Sequence, residues 1–153
     1  MALRHLRFLG DPVLDAVAAP VTTFDDDLAT LVRDMFETMY AAPGRGLAAP
    51  QVGVSQRVFV VDTAWKEGDP APMIFVNPKI TAAADDTATG QEACLSIPGR
   101  AFAVPRPVWI EVAWQDVDGA LHQGRFTGVD AICICHENDH LDGKLITQTG
   151  AEV

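Results

Sequence analysis

The chain has 153 residues, 48% of them apolar, which is enough to bury one core and too short for two independent domains, so a single domain over residues 1–153 is expected. With 21 acidic against 11 basic residues the net charge is -10, which argues against broad contact with nucleic-acid phosphates or an anionic membrane and favours a small-molecule or peptide partner. No apolar run is long enough to cross a bilayer, the opening MALRHLRFLG lacks an apolar signal core, and three cysteines cannot all pair within one chain, so a cytoplasmic protein with reduced thiols is expected.

In chain order, Phe24 to Tyr40 reads as an amphipathic helix. Leu28, Leu31, Val32, Met35, Phe36 and Met39 fall at helical spacing behind Asp25, Asp26 and Asp27, which suit a cap and first turn. Arg57 to Val61, Met73 to Val76 and Val108 to Trp114 read as short strands, and Asp118-Gly119 as a hairpin turn into a strand from Leu121 to Phe126. Lys66 to Pro72 and Thr81 to Gly90 read as surface loops. A last helix is expected from Val129 to Gly143, where glycine can take a left-handed closing conformation. The fold class expected is α+β, with mixed or antiparallel sheets around that last helix.

The last helix carries His136-Glu137-Asn138-Asp139-His140. This H-E-x-x-H spacing puts two imidazoles on one helical face, where one metal ion can take both. Val129, Ile132 and Cys133 continue the same face toward the N-terminus, so metal and apolar pocket are expected to share a wall. A catalytic metal needs a third protein ligand. No His or Cys follows His140, which points upstream, and Cys94 is the best candidate there because a thiolate binds zinc or ferrous iron well. Read by itself, Cys94 also fits a buried core thiol.

Three segments in order resemble peptide deformylases. Gly44-Arg45-Gly46-Leu47-Ala48-Ala49-Pro50-Gln51 looks like G-x-G-L-A-A-x-Q, Glu92 to Ser96 looks like E-G-C-L-S, and Cys135 to His140 looks like Q-H-E-x-D-H. The resemblance implies one divalent metal on Cys94, His136 and His140, ferrous iron in the first instance, with zinc or nickel as alternatives. It further implies that Glu137 acts as general acid/base with metal-activated water on the formyl group of N-formylmethionyl peptides or nascent chains. Gln51 and the backbone N–H of Leu95 are expected to stabilise the oxyanion. Gly44, Arg45, Gly46 and Ala93 are expected along the peptide groove, with the methionine side chain against Val129, Ile132 and Cys133.

Three positions depart from the family pattern. Ala93 stands in place of glycine, where a positive φ would strain a β-carbon. Arg45 replaces a small aliphatic residue and either lines the groove or points to solvent, and Cys135 replaces a glutamine. Asp130 puts a charge beside the pocket unless the helix turns it outward. These departures leave two competing readings: a deformylase-like paralogue with a shifted acyl substrate or weak activity, and a non-catalytic, metal-stabilised peptide-binding module. A conventional protease of the H-E-x-x-H type lacks a suitable downstream ligand. The chain ends soon after Leu145, where many family members continue into a basic helix used for ribosome docking, so with its acidic charge stable docking is not expected.

Overall fold

The computed structural model describes residues 2–153. A single-turn helix α1 (Pro12–Asp15) precedes the long helix α2 (Asp26–Ala41). Asp25 caps α2, its side chain accepting from the Leu28 amide at 3.1 Å, and Leu28, Leu31, Val32, Met35 and Met39 are buried, as their spacing requires. Five strands, β1 (Gly46–Ala48), β2 (Val58–Val61), β3 (Met73–Ala83), β6 (Trp109–Gln115) and β7 (Leu121–Thr127), form one sheet in the order β1-β2-β3-β6-β7. The strands β4 (Thr87–Cys94), β5 (Ile97–Pro107) and β8 (Ala151–Glu152) form a second in the order β4-β5-β8. All pairings within the two sheets are antiparallel.

The helix α3 (Gly128–Leu141) packs against β1, β2, β6 and β7 of the first sheet and β5 of the second. One of its faces, Ala131, Ile134, Cys135 and Leu141, joins the core built on Phe59, Phe75 and Ile110. Its other face carries the histidines. The short helix α4 (Ile146–Thr149) closes a third apolar cluster with Cys94, Phe102 and Val104.

One expectation is corrected. Thr81 to Gly90 is not a surface loop: β3 runs to Ala83 and β4 begins at Thr87, leaving only three residues between them. Most of these residues are exposed, so no apolar alternation marks them, and their extended state comes from pairing with β6 and β5. Val129, Ile132 and Cys133 lie on the face of α3 turned away from Ala131 and Ile134, with Val129 47% exposed and Cys133 also touching the edge of the core. Lys66 to Pro72 is a loop, as expected, and its stem is held by Asp62. That fully buried carboxylate accepts from the backbone amides of Ala64, Trp65 and Ala71 and, at 2.6 Å, from the Tyr40 hydroxyl.

α3 ends as the sequence requires, with Gly143 at φ +72°. A β-carbon there would stand 2.5 Å from the carbonyl oxygen of Asp15, so the turn that follows the metal-motif helix packs directly on α1. Gly143→Ala is expected to lose at least about 1–2 kcal/mol from the left-handed conformation alone. Thermal unfolding should read this as a fall of roughly 2–8 °C in Tm.

Candidate metal centre

Cys94, His136 and His140 converge. One donor atom from each lies within 4.8 Å of the others, and all three residues are buried. The pleat of β4 explains the thiol. Glu92 and Cys94 face inward while Gln91 and Ala93 face out, and a register shift between Ala93 and Cys94 then turns the chain into β5. Cys94 Sγ is 3.4 Å from His140 Nε2. The two imidazoles come from successive turns of α3, with ring centroids 5.2 Å apart.

Behind this set lies a chain of buried charge that the sequence motifs did not assign. His136 Nδ1 is 2.9 Å from Glu92 Oε1, which leaves Nε2 turned toward the thiol. Arg106 grips both oxygens of Glu92, with Nε at 2.9 Å and Nη2 at 2.8 Å, and its Nη1 donates to Asp139 at 2.7 Å. Burial would raise the Glu92 carboxyl, but its bonds to Arg106 and His136 hold it below the usual range. Burial and the neighbouring His136 and Arg106 charges push His140 down to about 3, so it is a neutral imidazole at ordinary pH, as a ligand must be. Burial likewise raises Glu137 to about 7.

A thiol and two imidazoles aimed at one point suit a single transition-metal ion. Glu137 supports this fit, because its Oε1 is buried without a protein partner beside the converging donors. Its other oxygen is held close to the β1 backbone: a β-carbon on Gly46 would stand 2.6 Å from Glu137 Oε2. Gly44 makes a similar approach to the Leu95 side chain, at 2.8 Å. Gln51 is buried. Its amide nitrogen donates to Ser96 Oγ at 3.1 Å and faces Cys94 Sγ at 3.6 Å, while its oxygen accepts from the Ala48 amide at 2.9 Å.

A groove of about 770 Å³ opens onto this set, and Leu95, Ala93, Val129, Ile132, Cys133 and Arg45 all line it. The sequence-expected site residues are thus brought together. The condition for strain at Ala93 is not met: it lies on an extended strand, and Asn77 is the one non-glycine with positive φ among the described residues. Arg45 lines the groove and also pairs with Glu67 at 3.2 Å. Cys135 packs into the core, and Asp130 turns aside to accept from the Thr63 hydroxyl at 2.5 Å.

An H-E-x-x-H helix whose histidines meet a thiol from a neighbouring sheet defines a mononuclear metalloprotein of the hydrolase type. Residues 3–152 match the family model described as polypeptide deformylase. The chain is 49% identical to the peptide deformylase of Brucella suis, covering 95% of this chain and 83% of the relative. It is 45% identical to that of Agathobacter rectalis, covering 97% and 90%. The crystal structure of peptide deformylase from Thermotoga maritima superposes with a TM-score of 0.92 at 40% identity, covering 97% of this chain and 98% of that one. A Synechococcus elongatus peptide deformylase in complex with actinonin gives 0.92 at 41%, covering 96% and 80%. The chain belongs to the peptide deformylase family.

Two predictions follow from this geometry. Glu92→Gln removes the anionic acceptor from His136, and zinc affinity measured by chelator competition should fall about 10- to 100-fold. Ala93→Gly should bring no stability. In an extended strand it loses about 0.5–1 kcal/mol, measurable by urea unfolding, whereas a gain would mean that the β-carbon is strained after all.

Proposed function

We propose that the chain is a metal-dependent hydrolase that removes the formyl group from N-formylmethionyl peptides. The observation that carries this reading is the buried, unpartnered Oε1 of Glu137, which lines the groove with Cys94 and His136, the donors that converge with His140. Cys94, His136 and His140 would hold the cation. When bound there, a divalent cation supplies Lewis acidity toward water and the formyl carbonyl. The family resemblance favours ferrous iron, and the same donor set accepts zinc and nickel.

The peptide lies along Gly44, Arg45 and Gly46 with its methionine side chain against exposed Val129 and half-buried Ile132 and Cys133, apolar groups that gain from being covered. Glu137 takes a proton from the attacking water and returns it to the methionine nitrogen as the C–N bond breaks, leaving formate and a free α-amine. Ser96 fixes the Gln51 amide beside Cys94 Sγ, and that amide and the Leu95 backbone N–H are the donors that would meet the developing oxyanion. Burial of Glu137 keeps bulk water from competing for its proton.

The packing of α3 between both sheets supports reading residues 1–153 as one domain. No helix among the described residues is long and apolar enough to cross a membrane, which fits a cytoplasmic enzyme acting on new chains. Its net charge of -10 opposes stable attachment to ribosomal RNA.

Anaerobically prepared, iron- or nickel-loaded protein is expected to release formate from formyl-Met-Ala-Ser. Glu137→Gln should lower kcat by roughly 10²- to 10⁴-fold with metal content unchanged. Gly46→Ala, which displaces the same carboxylate, should also lower kcat at full metal occupancy. Absence of formate from the fully loaded parent protein would overturn the proposal.

A further inference from the structure

The rim of the groove carries charge that removal of a formyl group does not use. Arg45 and Lys66 both line it. The carboxylates that line it, Glu92 and Glu137, are buried at 8% and 4% exposure, and Glu92 is committed to Arg106 and His136. On a chain of net charge -10, the solvent-facing charge among the groove-lining residues is therefore positive.

We propose that Arg45, assisted by Lys66, forms a subsite for a carboxylate on the peptide, so that formylmethionyl peptides with Asp or Glu in the two positions after methionine are preferred. This rests on the peptide reading above. Arg45 stands between the two glycines along which the peptide is taken to run, and its side chain is 40% exposed. Its ion pair is with Glu67, whose side chain is 62% exposed, through Nη2 alone at 3.2 Å, and Nε is buried without any partner. A guanidinium offers five N–H donors in a planar fork, and an exposed pair of this kind is held weakly. The Glu67 carboxylate also shows which chemistry this guanidinium accepts. A substrate carboxylate exchanges with it like for like at the exposed end of the guanidinium.

The charge is also directed at the peptide. Arg45 lines the same groove as Val129, Ile132 and Cys133, the residues taken to hold the methionine side chain. Its base is firm. Trp65 Nε1 donates to the Gly44 carbonyl at 2.9 Å, the indole stands edge-on to Tyr40 at 5.2 Å, and Asp62 holds the amides on either side of Lys66 and Glu67. Arg45 and Lys66 are thus presented on one tethered rim. A lysine on the substrate meets two like charges there, while a neutral side chain leaves the Arg45–Glu67 pair intact.

The test compares formate release by the metal-loaded enzyme from C-terminally amidated formyl-Met-Xaa-Ser and formyl-Met-Ala-Xaa, with Xaa as Glu, Gln or Lys. The Glu peptides are expected to exceed their Gln counterparts in kcat/KM by roughly three- to tenfold, and the Lys peptides to fall below both. The advantage should shrink in 0.5 M salt. Within each variant the Gln peptide is the reference, so a general loss of activity cancels. Arg45→Leu should abolish the preference, Arg45→Lys retain part of it and Glu67→Gln increase it. Non-amidated peptides separate a side-chain carboxylate from the chain's own terminus: a gain confined to free termini overturns the side-chain preference. Equal rates for Glu and Gln peptides, or a preference that survives Arg45→Leu, also overturn it. Should no peptide release formate, the catalytic reading fails. Calorimetric binding of the same peptides then decides the charge preference by itself, with equal affinity for Glu and Gln peptides counting against it.

Discussion

The buried sequence of charges from Arg106 through Glu92 to His136 is the constraint on which the site depends. It joins β5, β4 and α3, three elements from distant parts of the chain, through bonds of 2.7 to 2.9 Å. Charges removed from water are costly, and such a group persists only when every member is paired. Here the guanidinium is shared between Glu92 and Asp139, and Glu92 between Arg106 and His136. The pairing fixes where α3 stands relative to the second sheet and which nitrogen of His136 is turned toward Cys94. A shift of α3 along β5 would break several charged contacts at once, so the helix has one register and the donor set one geometry.

Against this fixed helix the β1 strand comes unusually close. Gly46 leaves room for the Glu137 carboxylate and Gly44 for the Leu95 side chain, so the groove is narrow where the chemistry is proposed. α3 accordingly works on two sides. Ala131, Ile134, Cys135 and Leu141 hold it in the core, and the opposite face presents Val129, Ile132, Cys133 and His136 to the groove. A helix apolar on one side and functional on the other shows no single hydrophobic stripe.

That double duty explains what could be read from one dimension and what could not. α2 was legible because its burial is one-sided, and the histidine pair because four residues make one helical turn. The turn at Gly143 was legible because a left-handed closure favours glycine. The apolar residues Val129, Ile132 and Cys133 gave the right face of α3 for the groove, but apolarity does not say whether a surface is covered by protein or by substrate. The β4–β5 hairpin was missed, since the outer half of β4 is exposed and has no alternation to betray it. Arg106 and Glu92 lie 14 residues apart on paired strands, a spacing with no local signature. One signal was available. In a strand, residues two apart share a side, so a buried ligand at Cys94 already implied a buried carboxylate at Glu92.

The carboxylate of Asp62 has a role of another kind. It anchors the loop from Thr63 to Pro72 by backbone amides at both ends, and it does so without touching any of the metal-binding donors. The exposed tip between those anchors can therefore change its side chains, Lys66 and Glu67 among them, without disturbing the stem. Such an arrangement uncouples the composition of the groove rim from the geometry of the donor set. Substitutions at the tip would leave Arg106, Glu92 and His136 in place, because no bond of the stem reaches them.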